Sequence, residues 1–177
     1  MRLFTIGYQG ASLESYLRVL VSNGVGIVLD VREHAWSQRP DFVKSPLRDS
    51  LANCGIEYAH LRSVGNPSKN RKTATSAAEC MSRYRTYIQE RPECIVELCS
   101  YIRLADQVGR PACLTCYEAE PSDCHRSVLI ESLIEVEPVI VPIHLQTSKQ
   151  VEPSATAQPL KLSLLKTSFL SQSLLPF

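Results

Sequence analysis

A chain of 177 residues can bury one substantial core but is short for two full domains. Its 19 lysines and arginines against 18 acids leave a net charge of +1, which removes any global electrostatic pull toward nucleic acid or an anionic membrane, so a basic surface must be local. Seven cysteines would build a disulfide scaffold only in a short secreted chain, and the opening MRLFTIGYQG lacks the apolar core and small-residue cleavage site of a signal peptide, so the thiols read as reduced and the protein as cytoplasmic.

The first predicted strand, Leu3 to Tyr8, ends at the turn signal Gln9-Gly10. Ser12 is placed to cap a helix whose apolar residues Leu13, Tyr16, Leu17, Leu20 and Val21 recur at helical spacing, until Asn23-Gly24 closes it. Ile27 to Val31 is apolar nearly throughout, as a central parallel strand covered on both faces should be, and it leaves Asp30 and Arg32 at its carboxyl end. Pro46 opens a short helix reaching Asn53, and Glu57 to Leu61 forms a third strand. Val64 to Ser76 reads as an exposed loop with a basic centre at Lys69, Arg71 and Lys72. Two helices follow between Ala77 and Leu104, parted at Pro92. Then come a strand over Ala112 to Tyr117, a helix over Cys124 to Ile134, and a last strand over Val139 to Leu145 whose Pro142 marks a sheet edge. Strands alternating with helices predict an α/β domain over residues 1–146, with a mostly parallel, doubly wound sheet of about five strands and helices on both faces. Residues 147–177 turn to Thr, Ser, Gln and Pro before a Ser/Leu-rich end, and read as a C-terminal tail. No apolar run approaches the roughly 20 residues that span a bilayer, so no membrane partner is expected.

Ligands of open α/β sheets bind beyond the carboxyl ends of the strands, and Tyr8, Asp30, Arg32, Glu118 and the start of the Cys124 helix all fall at that edge. Asp30 and Arg32 fit equally a solvated pair at a strand end. The most concentrated chemistry lies in Cys116-Tyr117-Glu118 to Cys124-His125-Arg126. A thiol at a helix N-terminus beside His and Arg is expected to have a lowered pKa. Arg126 could fork onto a carboxylate or phosphate, and Glu118 could serve as a general base. Each cysteine fits equally a small buried hydrophobe.

Cys113, Cys116, Cys124 and His125 also read as CxxC followed by Cys-His, a zinc-like set. A strand would point Cys113 and Cys116 to opposite faces, however, and a helix would make Cys124 and His125 diverge, so no metal is assigned. No glycine-rich phosphate loop or dinucleotide fingerprint is present and no cofactor is predicted. The loop His34, Trp36, Ser37, Arg39, Phe42, together with Lys69 to Lys72, could make an aromatic, basic rim for a nucleotide or single-stranded nucleic acid; solvated charges around one buried Trp explain the same residues.

The segments TIGYQG, VLDVRE, WSQRPDF, LRDSLANCGIEYAHLRSVGNP, CYEAEPSDCHRSVL and the closing IHL together resemble the domain of unknown function 488 family, from about residue 3 to residue 145. Position by position the resemblance singles out Tyr8, Ser12, Asp30, Arg32, Phe42, Tyr58, Gly65, Cys116, Glu118, Cys124, His125 and Arg126. Ser37-Gln38-Arg39 departs from the Ser-Arg of the pattern, and Cys113 lies outside it. The resulting candidates are Cys116, Glu118, Cys124, Arg126 and Asp30 for catalysis, and Tyr8, Ser12, Arg32, Arg39 and His125 for substrate binding. Three functions compete: an enzyme acting on a small molecule, nucleotide or nucleic-acid base; a non-catalytic nucleic-acid or nucleotide-binding module; and a purely structural polar network.

Overall fold

The computed structural model describes residues 1–147. They form β1 (Arg2–Gly7), α1 (Leu13–Ser22), β2 (Ile27–Asp30), α2 (Lys44–Asn53), β3 (Glu57–His60), α3 (Ser68–Thr73), α4 (Ala77–Gln89), α5 (Pro92–Gln107), β4 (Ala112–Cys116), α6 (Arg126–Val136) and β5 (Val141–Leu145), with 3-10 turns at Pro40–Phe42, Arg62–Val64 and Pro121–Asp123. The tail predicted from residue 147 lies, beyond Thr147, outside the described residues.

All five strands pair in parallel, in the order β3-β2-β4-β1-β5. The chain runs outward from β1 to β2 and β3, then returns to lay β4 between β2 and β1 and β5 outside β1. Right-handed crossovers made in opposite directions deposit helices on opposite faces, and the core divides accordingly. On one face Tyr16 and Leu20 of α1 and Leu47 and Leu51 of α2 pack with Phe4, Ile6, Val28 and Cys113. On the other, Tyr84 and Ile88 of α4, Leu98 and Ile102 of α5 and Val128 and Leu133 of α6 pack with Leu3, Leu29 and Leu114. Successive strand residues serve opposite layers, the period of two that a strand imposes. The sheet is the doubly wound α/β arrangement that the alternation of elements predicts. Pro142 sits on the edge strand β5, and among the described residues no helix is long and apolar enough to cross a membrane.

Three local features differ from the sequence reading. Residues Val64 to Ser76 are not one loop: α3 forms inside it. This helix buries no residue and so shows no apolar period; its N-terminal Ser68 is held instead by Glu33, whose carboxylate accepts from the Ser68 N–H (2.6 Å) and hydroxyl (2.5 Å) across 35 positions of sequence. The helix expected from Cys124 starts at Arg126, because the turn Pro121–Asp123 leaves Cys124 extended (φ −123°, ψ 144°). Trp36 is 65% exposed rather than buried.

Candidate functional site

The carboxyl ends of β1, β2 and β4 meet side by side. Tyr8 N–H donates to the Cys116 carbonyl (3.2 Å), Gln9 N–H to the Tyr117 carbonyl (2.8 Å), and Val31 N–H to the Thr115 carbonyl (3.2 Å), so the three chains leave the sheet in register. Beyond them opens a cleft of about 830 Å³. Cys116, Glu118 and His125 line it from the β4 side, Arg32, Glu33, Trp36 and Arg39 from the segment after β2, and Asn66, Arg71 and residues Ala74 to Ala77 from the connection into α4.

Glycine decides how closely these segments can approach. A Cβ on Gly7 would lie 1.7 Å from the Glu118 carbonyl oxygen, and one on Gly65 would lie 2.3 Å from the Glu33 nitrogen. Both obstacles are backbone and cannot swing aside. Gly7→Ala is therefore expected to cost at least about 1–3 kcal/mol by overpacking and to displace the Glu118 segment, which urea unfolding and amide exchange on residues 117–120 would register. A wild-type unfolding curve and exchange pattern would show that the crossing is looser than it looks.

Asp30 and Arg32 form a closed pair beneath the cleft. Asp30 is fully buried; Arg32 Nε donates to Oδ1 (2.8 Å) and Nη2 to Oδ2 (2.5 Å), while Tyr58 adds its hydroxyl to Oδ2 (2.6 Å). Arg32 Nη1 donates to the Tyr8 hydroxyl (2.8 Å) and the Phe42 carbonyl (2.9 Å). Burial and the neighbouring Asp30 push the Tyr58 hydroxyl pKa well above its ordinary range. The pair is thus neither solvated nor open to a ligand at Asp30; only Arg32 and Tyr8 border the cleft. Tyr8 is clamped by Phe42, stacked at 4.3 Å, and Arg39 lies over the other ring, its Cζ 4.6 Å from the Phe42 centroid, with Nη1 on the Tyr8 carbonyl (3.0 Å). Ser12 takes no part in the lining: its hydroxyl accepts from Ser15 N–H (3.1 Å) and caps α1.

Around β4 the picture is tighter. Cys116 Sγ lies 3.1 Å from Glu118 Oε2 and 3.7 Å from His125 Nδ1, and Cys124 Sγ lies 3.8 Å from the same nitrogen. These four donor atoms all fall within 4.8 Å of one another, the one such grouping with metal-ligand chemistry among the described residues. Cys113 is absent from it, since it faces the α1–α2 layer; Glu118 stands in its place. Cys124 and His125 do not diverge, because Cys124 is extended rather than helical. His125 Nε2 bonds the Val31 carbonyl at 2.8 Å and its ring meets Tyr84 edge-on at 5.1 Å. Tyr84 escaped the sequence reading because its spacing is that of an ordinary core helix residue.

Burial pushes the Cys124 thiol up, reinforced by Cys116 and only partly offset by His125, so Cys124 is not the low-pKa thiol that a helix N-terminus would make. Burial raises the Glu118 carboxyl too, but hydrogen bonds from Cys124, its own backbone N–H and Cys116, with His125 nearby, outweigh it and hold Glu118 below the ordinary carboxylate range. His125 is raised: burial disfavours imidazolium, yet Cys124, the Val31 carbonyl and Glu118 favour it more. Arg126, fully buried, stays behind the cleft, donating to the Glu118 carbonyl (2.5 Å), the Ala119 carbonyl (3.4 Å) and Cys124 Sγ (3.2 Å). Among the described residues no buried side-chain nitrogen or oxygen lacks a partner.

The family model of the domain of unknown function DUF488 matches residues 12–133. The chain belongs to this DUF488 family. The matched stretch carries Asp30, Arg32, Arg39 and the whole Cys116 to Arg126 segment, while Tyr8 and β1 precede it. No curated protein and no solved structure matches the chain.

Proposed function

We propose that the chain is an enzyme acting on a small molecule of nucleotide or nucleic-acid-base type, bound in the cleft and presented to Cys116, Glu118 and His125. The observation that carries this reading is that these three groups border the same space as Trp36, Arg39 and Arg71. A volume of about 830 Å³ suits a mononucleotide-sized ligand. An exposed indole is a platform for a flat base, and guanidinium groups favour phosphate oxygens. Glu118 is the carboxylate that borders the cleft, placed to exchange a proton with a bound hydroxyl or water, and Cys116 and His125 lie beside it. Arg32, hydrogen-bonded from behind by Asp30, would orient the ligand rather than react with it.

Trp36 is the chain's single tryptophan, so its fluorescence reports on the cleft directly. Titration with a panel of nucleosides and nucleotides, with product analysis on the same samples, is the test. Quenching by at least one compound, weakened by Arg39→Ala and Arg71→Ala, together with turnover that Glu118→Gln lowers by about 100-fold or more without losing the quenching, supports the proposal. Salt-sensitive binding with no turnover across the panel overturns catalysis and leaves a nucleotide-binding module, the reading that the exposure of Trp36 favours next. An unresponsive Trp36 overturns both.

A further inference from the structure

We infer that Cys116, Cys124, His125 and Glu118 form a binding centre for one zinc-type divalent cation at the floor of the cleft. This goes beyond the reading of the cleft as an enzyme site and stands whether or not the cleft is catalytic. A tetrahedral zinc with ordinary Zn–S, Zn–N and Zn–O bonds requires ligand atoms about 3.3–3.8 Å apart. The two sulfur–nitrogen separations are 3.7 and 3.8 Å, the Cys116–Glu118 separation is 3.1 Å, and none of the four atoms lies more than 4.8 Å from another. Thiol–imidazole contacts of that length are loose as hydrogen bonds but natural for two ligands of one ion.

The surroundings of the ligands are built to the same end. A carbonyl oxygen can only accept, so the 2.8 Å contact to Val31 requires the proton of the imidazole to sit on Nε2 and leaves Nδ1 to face the sulfurs. A carbonyl behind the far nitrogen is the usual support of a metal-bound histidine. Arg126 Nε donates to Cys124 Sγ at 3.2 Å, which orients that sulfur. The same guanidinium holds the Glu118 carbonyl at 2.5 Å, so one buried cation fixes the backbone of one ligand and the sulfur of another. The turn Pro121–Asp123, closed by Cys124 N–H on the Pro121 carbonyl (3.1 Å), brings Cys124 back over Cys116.

Two thiolates and an imidazole select a thiophilic ion over magnesium or calcium. Cys116, Cys124 and His125 are 4%, 1% and 7% exposed, whereas Glu118 is half-buried and borders the cleft. The three buried groups would therefore anchor the ion, with Glu118 as the fourth, displaceable ligand on the open side.

The test uses the full chain, purified with a non-thiol reductant, stripped and titrated with cobalt(II) and with zinc against a chromophoric chelator, in the absence of any substrate. One equivalent per chain is expected, with near-ultraviolet thiolate-to-cobalt absorption. Cys116→Ser and Cys124→Ser should each weaken binding by more than about 100-fold and diminish that band, and Glu118→Gln should weaken binding by about 10-fold while retaining it. Cys54→Ser, at an exposed cysteine outside the group, should change neither. No thiolate band in the reduced wild-type chain overturns the inference even if a variant fails to fold. A band that Cys116→Ser leaves undiminished overturns it as well, and in either case the nucleotide titration of the cleft remains a separate result.

Discussion

Arg126→Ala should lower the unfolding free energy by about 3–5 kcal/mol, visible in urea unfolding and as a fall in Tm on the order of 10 °C. Arg126 is the largest fully buried side chain among the described residues, and no ion pair involves it there. Its charge is met by two carbonyl oxygens and a sulfur of the segment that joins β4 to α6, and by the Thr5 hydroxyl of β1 at 3.5 Å. Truncation opens a cavity and leaves the Glu118 carbonyl, wedged against Gly7, without its donor; an unmet buried acceptor alone costs about 1–3 kcal/mol. Lysine would keep the charge but not the planar fork that reaches both sides of the loop, so Arg126→Lys should recover little. Methionine refills most of the volume, and the difference between Arg126→Met and Arg126→Ala separates cavity from hydrogen bonding. If the alanine variant loses less than about 1 kcal/mol, the loop is held by something other than Arg126.

Asp30→Ala is expected to cost a similar amount, about 3–5 kcal/mol, because it leaves the Arg32 cation buried with only the Tyr8 hydroxyl and the Phe42 carbonyl as partners. Replacing both members, Asp30→Ala with Arg32→Met, removes the stranded charge. The double variant should therefore be less destabilised than the sum of the two single ones, a coupling that a double-mutant cycle measures. Additive losses would show that the bidentate contact contributes nothing beyond packing. Asp30 does not border the cleft, so its influence on a ligand would pass through Arg32, which is a positioning role rather than a catalytic one.

Much of the architecture is legible from the chain alone because its signals are local. The apolar run of β2 announces a central strand, Ser12 and Pro92 mark helix starts, and Pro142 marks an edge. Helix α3 escapes such reading, since its anchor is Glu33, far off in sequence, and no apolar face repeats within it. The same limit governs the site. The Cys-x-Glu and Cys-His-Arg segments are conspicuous as residue types, but whether Cys124 and His125 converge or part depends on a few backbone angles set by the Pro121–Asp123 turn. The expected low-pKa thiol reverses for a related reason: burial outweighs any helix end, and burial is a property of the whole packed layer around Tyr84, Leu129 and Cys116.

Periodicity and composition by themselves determined an α/β fold, its parallel sheet and the edge at which polar chemistry gathers, because hydrophobic spacing and turn residues act over a few positions. Tertiary structure decided which of those polar groups face the cleft. Cys116, Glu118, His125 and Arg32 border the cleft, whereas Asp30 and Arg126 are spent within the protein, since a buried charge must find its partners wherever the fold brings carbonyls, sulfur or a carboxylate within about 3 Å.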